Sequence, residues 1–147
     1  MSPKRKPRID FYRLSSQNRT SVNRFCCQLA HKVFKMGNPV FVRTKDPAES
    51  RLMDDLMWTY SDNSFLPHAI LDDSTDNDTP VIISHNTMQS RAFLLINLSD
   101  EIPEQIENFE RVAEIINEAP QTLQLGRKRY SAYKLAEYPL HYHEITP

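Results

Sequence analysis

Glycine is nearly missing from this chain: only Gly37 and Gly126 occur in 147 residues. A loop that cradles phosphate needs glycines between a strand and a helix, so that backbone N–H groups can approach the anion closely. Gly37 follows a helical run and precedes Asn38-Pro39, which is the position of a helix C-cap glycine. Gly126 lies inside a helix-like stretch of Leu, Gln, Arg and Lys. Neither can form a phosphate loop, so no nucleotide cofactor is expected. Cysteine is equally scarce, and Cys26 and Cys27 are adjacent, a separation that excludes an ordinary disulfide between them. That usage fits a reducing cytoplasm. Charge of either sign is in no excess: 18 Lys and Arg stand against 19 Asp and Glu, a net charge of −1. A dedicated nucleic-acid binder is normally clearly basic. Long apolar runs are also lacking. Ala92-Phe93-Leu94-Leu95-Ile96 falls far short of the ~20 residues that span a bilayer. The charged N-terminal residues lead into no apolar core, so a signal peptide is not expected.

What is present reads as a series of strands and helices. Ile9 to Leu14 alternates apolar and polar side chains, as a strand does. Val22, Phe25, Cys26, Leu29, Val33 and Phe34 recur at three- and four-residue intervals, which predicts an amphipathic helix ending near Gly37. Val40-Phe41-Val42 predicts a short buried strand. Asp46 is placed to cap the next helix, with Pro47 at its first position and Glu49 at its third. The expected buried stripe of that helix is Leu52, Leu56 and one of Met53, Met57 or Tyr60. Val81-Ile82-Ile83 and Phe93 to Leu98 have the length and branching of strands. Pro103 is expected to open a helix with Ile106, Phe109, Val112, Ala113 and Ile116 on one face. Pro120 opens another, running to about Glu137, and His141 to Ile145 returns as an edge strand. Strands separated by helices predict a Rossmann-like α/β fold, a doubly wound and mostly parallel sheet flanked by helices. The expected organisation is one domain over 9–147, preceded by a basic, disordered extension over 1–8, with a second mobile segment at the acidic loop Asp72 to Asp78.

Little of this points to catalysis. An EF-hand beginning at Asp72 needs glycine at its sixth position and glutamate at its twelfth, where this chain has Asn77 and Ile83. His141 and His143 share one side of a strand, but two such ligands make no zinc site. Ser84-His85 follows a strand without the glycine-flanked elbow of a nucleophilic serine. Cys26, on the apolar helix face, reads as core. The tail Lys4-Arg5-Lys6-Pro7-Arg8 offers loose phosphate contacts at most. No catalytic, metal or cofactor site is expected.

Two features go beyond a plain core. Trp58, the sole tryptophan, stands near a helix end and is followed after a polar turn by Phe65-Leu66-Pro67-His68. A helix end and a loop together can present rings as anchors for a partner. The second feature is a contrast in charge. Residues 100–118 carry Asp100, Glu101, Glu104, Glu107, Glu110, Glu114 and Glu118 against Arg111, whereas 119–134 carry Arg127, Lys128, Arg129 and Lys134 and no acid. Cations gathered on one helix create a positive field on a nearly neutral chain. Arg127, Tyr130 and Lys134 are spaced three and four apart and so share a face. Tyr133 is placed beside them, and Ile116, expected on the preceding helix, supplies an apolar floor. Such a set suits an acidic peptide with a hydrophobic end, or a few phosphates.

Taken in order, Asp10-Phe11-Tyr12-Arg13-Leu14, the block from Trp58 to Phe65-Leu66-Pro67-His68, and Arg127-Lys128-Arg129-Tyr130-Ser131-Ala132-Tyr133-Lys134 resemble the chi-subunit family of the bacterial DNA polymerase III holoenzyme. The likeness covers nearly the whole chain apart from the basic extension and the acidic loop. It implies a non-enzymatic accessory subunit of the clamp-loader complex, Rossmann-like but without a bound nucleotide, in the bacterial cytoplasm. It implies binding of the acidic C-terminal tail of single-stranded DNA-binding protein by Arg127, Tyr130, Tyr133 and Lys134 over Ile116. It further implies that Trp58, Phe65, Leu66 and Pro67 hold the psi subunit as a 1:1 heterodimer, or a divergent equivalent or helicase-like protein, with DNA contacted only indirectly or weakly. Some relatives carry lysine where this chain has Leu123 and Ser131, which implies a weaker positive field here. The competing readings are direct binding of single-stranded DNA and an adaptor for a helicase-like repair partner.

Overall fold

The computed structural model describes residues 6–60, 65–72, 78–86 and 92–146. Most of the basic tail and the centre of the acidic loop, residues 1–5 and 73–77, lie outside the described residues. The chain runs β1 (Arg8–Leu14), α1 (Arg19–Lys35), β2 (Val40–Arg43), α2 (Pro47–Thr59), β3 (His68–Ile70), β4 (Val81–Ser84), β5 (Leu94–Asn97), a 3-10 turn over Ile106–Asn108, β6 (Arg111–Ile116), α3 (Pro120–Leu135) and β7 (Leu140–Ile145). Every strand pair is parallel, in the order β3-β4-β2-β5-β6-β1-β7. The fold is the expected Rossmann-like α/β arrangement, and all seven strands of the described residues are parallel. Among the described residues no helix is long and apolar enough to cross a membrane.

Local chemistry explains the helix ends. Asn18 caps α1 by accepting from the Ser21 N–H at 2.9 Å, and Asp46 caps α2 by accepting from the Glu49 N–H at 2.8 Å. Gly37, with φ +84°, closes α1: its N–H reaches the Phe34 carbonyl and the Asn38 N–H reaches that of Val33. The end of α3 has the same pair of bonds, Glu137 N–H to Lys134 and Tyr138 N–H to Tyr133, but here the left-handed residue is Glu137, with φ 63°.

Strand period two divides the core between the two sheet faces. Leu14, Val40, Val42, Val81, Ile83, Leu94, Ile96, Ala113 and Ile115 pack against α1 and α2. Ile9, Phe11, Phe41, Ile82, Leu95, Val112 and Ile116 pack toward α3. From β1 the chain crosses to β2 through α1; from adjacent β6 it crosses to β7 through α3, on the opposite face. Connections therefore diverge between β1 and β6, and a crevice belongs at their carboxyl ends, where Arg13 is the register partner of Ile116.

Four expectations need correction. Residues 103–118 form no α-helix: the 3-10 turn over Ile106–Asn108 is followed by the strand β6. Their apolar spacing fits 3.6 residues, but β6 is covered on both faces, so it reads as a nearly continuous apolar run in which Glu114 mimics the polar face of a helix. Leu52 is 56% exposed, while Met53 and Met57 are buried against the sheet. The strand β3, on the edge beyond β4, has only three half-buried residues and no periodicity to reveal it. The N-terminal boundary also shifts: Arg8 already belongs to β1, Pro7 is buried, and the Lys6 ammonium donates to the Ala136 carbonyl while lying over the Tyr138 ring.

Candidate functional site

A buried polar cluster sets α3 on the sheet. Glu114, fully buried on β6, accepts from Arg129 Nε at 3.0 Å, from the Tyr133 hydroxyl at 2.8 Å and from Asn97 Nδ2 at 3.0 Å. Arg129 also donates to the Asp100 carbonyl at 2.9 Å. Burial pushes the Glu114 carboxyl above its usual range, against the opposing pull of Arg129 and the two neutral donors. Burial beside that carboxylate likewise drives the Tyr133 hydroxyl up, so it stays a donor. The cluster is satisfied, which is the condition under which buried charge orders a structure rather than disrupting it. Gly126 brings α3 close to β6: a Cβ there would lie 3.0 Å from Ile116 Cγ2. A larger residue there would need Ile116 to give by a few tenths of an ångström.

With α3 held in this way, its other face borders a groove of about 460 Å³. The wall on α3 is Leu123, Arg127, Tyr130 and Ser131; the sheet side is Phe11, Arg13, Ile116 and Tyr142. The sheet residues follow register, with Ile116, Arg13 and Glu144 in one row across β6, β1 and β7, and Glu114, Phe11 and Tyr142 in the row before it. Tyr130 packs edge-on against Phe11 at 5.2 Å and against Tyr142 at 6.3 Å. Arg127 is exposed on the rim. An apolar floor under rings and a guanidinium can hold an aromatic or aliphatic group together with an anion.

Ile116, Arg127 and Tyr130 are thus brought together, with Ile116 on a strand rather than a helix. Lys134 is exposed one turn beyond Tyr130 and does not line the groove. Tyr133 is 1% exposed, its hydroxyl bonded to Glu114, so it supports α3 from inside instead of touching a ligand. Arg129 is turned inward as well, and Glu114 is no surface acid. The charge contrast between 100–118 and 119–134 is therefore partly internal. Phe11, Arg13, Leu123 and Tyr142 escaped the sequence reading as lining residues. For Arg13 a signal existed: it stands two residues after Phe11 on one strand face, a charge continuing an apolar row.

The second candidate surface lies at the end of α2. Trp58 is 56% and Phe65 63% exposed, and their rings lie 5.4 Å apart. Trp58 also meets the His68 ring edge-on at 4.8 Å. The His68 side chain is buried and held from both sides, Nδ1 lying 2.5 Å from the Leu66 carbonyl and Nε2 3.2 Å from Asp54. Pro67 is half-buried, but Leu66 belongs to the core, because an extended chain that exposes Phe65 points the next side chain inward. Leu66 is not a surface anchor.

Residues 7–141 match the family model described as DNA polymerase III chi subunit, HolC. The chain is 31% identical to the DNA polymerase III subunit chi of Pseudomonas aeruginosa over 139 residues, covering 94% of this chain and 96% of that one. It is 28% identical to the Haemophilus influenzae subunit chi, with coverage of 88% and 92%, and 25% identical to that of Escherichia coli, with 82% and 84%. Among solved structures, the crystal structure of T4 UvsW superposes with a TM-score of 0.65 at 12% identity, over 97% of this chain and 42% of that one. At that identity the likeness speaks for the fold alone.

Proposed function

The chain belongs to the chi-subunit family of DNA polymerase III, and so to DNA replication; from that premise we propose that it is a non-catalytic adaptor whose α3 groove holds the acidic C-terminal tail of single-stranded DNA-binding protein. The observation that carries this is the convergence of Arg127 and Tyr130 on a floor made by Ile116 and Phe11. A guanidinium pairs with carboxylates, and the rings and Ile116 receive an apolar terminal side chain. One tail binds weakly; many tails on a coated strand raise the effective concentration and give a firm yet exchangeable attachment. Lys134 adds charge along the path of the tail.

The Trp58 and Phe65 face takes the second partner, a psi subunit or a divergent equivalent that connects chi to the clamp loader; a helicase-like protein is the alternative occupant. Two exposed rings braced by a buried histidine form a rigid apolar anchor of the kind that dominates protein interfaces. On this reading DNA is contacted only indirectly.

Calorimetry with an acidic peptide ending in phenylalanine tests the groove. Wild type should bind, more weakly as salt rises, and Arg127→Ala should bind much less; an unchanged constant rejects the site. A second reading, direct contact with single-stranded DNA, is favoured by the Tyr130 and Tyr142 ring pair beside Arg127. Anisotropy with bare oligonucleotide against labelled peptide separates the two.

A further inference from the structure

Between Asp10 and Asp46 the chain has no acid and seven Lys or Arg. Four of these are engaged: Arg13 with Glu118, Arg19 with Glu49 and the Leu98 carbonyl, Lys45 with Asp100, and Arg43 with the Asn86 carbonyl. The other three, Arg24, Lys32 and Lys35, all stand on α1, are exposed, and are in no ion pair among the described residues. With Gln28 they fall at three- and four-residue steps, so they form one row along the outer face of the helix. A rise of about 1.5 Å per residue spreads the row over about 16 Å. Helix stability does not explain it. Lys32 and Lys35 suit the negative end of the helix dipole, but Arg24 lies mid-helix, and the first turn lacks the acid that the dipole favours. On adjacent α2, Glu49 is taken by Arg19 and Asp54 by His68, while exposed Asp55 stands one turn from exposed Arg51.

We infer that this row is a direct contact for the phosphates of single-stranded DNA, on the opposite face of the sheet from the α3 groove. The composition of the surface decides between polyanions. Every exposed residue of α1 is polar or cationic, so a peptide finds no apolar anchor there, and protein interfaces rest on such anchors. A phosphate needs only a cation, and a row of three gives binding that is weak, indifferent to base sequence and dependent on salt. A net charge of −1 is compatible with this, because the field that attracts the strand is local. The choice of a single strand rests on the groove reading, since the protein whose tail the groove holds coats such strands; the row itself does not. Tethering gives the weak contact its effect. A subunit held by a tail in its groove keeps α1 at high effective concentration beside the strand. DNA is then met twice, through its coat protein in the groove and by its own phosphates on α1.

The test uses the full chain and a fluorescein-labelled oligothymidylate, with anisotropy read over a series of salt concentrations. Wild type should bind at low salt, with log K falling against log salt at a slope of about −2, the value for three single-strand phosphates. Arg24→Gln, Lys32→Gln and Lys35→Gln should each make that slope shallower by about 0.7, and the triple variant should bind about tenfold more weakly or worse at low salt. The triple variant should keep wild-type affinity for the acidic peptide ending in phenylalanine and an unchanged urea midpoint, since all three side chains are exposed. Arg127→Ala should do the reverse, losing the peptide and keeping the oligonucleotide. No binding by wild type at low salt, or a slope that the triple variant leaves unchanged, overturns the inference. So does loss of the oligonucleotide with Arg127→Ala alone, which places DNA on α3. Polyglutamate of the same charge that competes equally well also overturns it, and gives the row to an acidic protein. A wild type that binds the oligonucleotide through this row but not the peptide overturns the groove reading instead.

Discussion

The groove beside α3 and the aromatic face at the end of α2 solve the problem of presenting a binding surface in opposite ways. The groove is concave, and its lining comes from α3 and from three strands, β6, β1 and β7, distant in sequence. It depends on a satisfied buried cluster, Glu114 with Arg129, Tyr133 and Asn97, that fixes how α3 lies on the sheet. The α2 face projects outward and is built from neighbours in sequence: Trp58, Phe65 and the His68 ring beneath them. A surface assembled from remote pieces is sensitive to the core below it, whereas a local one is sensitive chiefly to its own side chains.

Glu114→Ala breaks this comparison most severely. It strands Arg129 without its buried counter-charge, and the expected loss is about 3–5 kcal/mol, read as a fall in the urea midpoint. Peptide binding should go with it, and Glu114→Gln, which keeps an acceptor, should lose less. Next is Phe65→Ala, which should cost an interface about 2 kcal/mol or more, seen as loss of partner co-purification, while stability moves by no more than about 0.5 kcal/mol and peptide binding stays intact. Joint loss of partner and peptide would mean that the two surfaces are not independent. Arg127→Ala is the reciprocal variant: about 1.5 kcal/mol of peptide affinity lost by calorimetry, with the urea midpoint and partner capture unchanged. The smallest effect is at the α3 terminus, where Glu137→Gly should raise stability by about 0.5–1 kcal/mol, since glycine accepts the left-handed conformation without a Cβ clash. No change there would show that the strain is relieved elsewhere.

Much of the fold could be read in the chain because its signals are local. Asp46 and Pro47 mark the start of α2, and Gly37 marks the end of α1. The groove was legible as Arg127 and Tyr130 on one helix face. Residues 111–116 were not legible as a strand, because the alternation that separates strand from helix vanishes when both faces are covered. Tyr133 and Arg129 gave no sign of pointing inward, because their partner Glu114 looks like any surface acid on a charged segment. Leu66 gave no sign of turning inward, because it stands inside the block Phe65-Leu66-Pro67-His68, which the resemblance assigns to a partner as a whole.

By itself the sequence determined the end of α1 and the starts of α2 and α3, which runs become strands at β1, β2, β4, β5 and β7, and that two glycines cannot build the nucleotide loop of other α/β domains. These follow from capping groups, side-chain branching and glycine, which act within a few residues. Only the tertiary structure decided which charges are solvated and which are spent inside. Glu114 and Arg129 meet only once α3 lies on β6, and Arg13 comes to stand beside Ile116 only once β1 and β6 are paired. Desolvation and ion pairing depend on what surrounds a group in space, and that neighbourhood exists only after the sheet has formed.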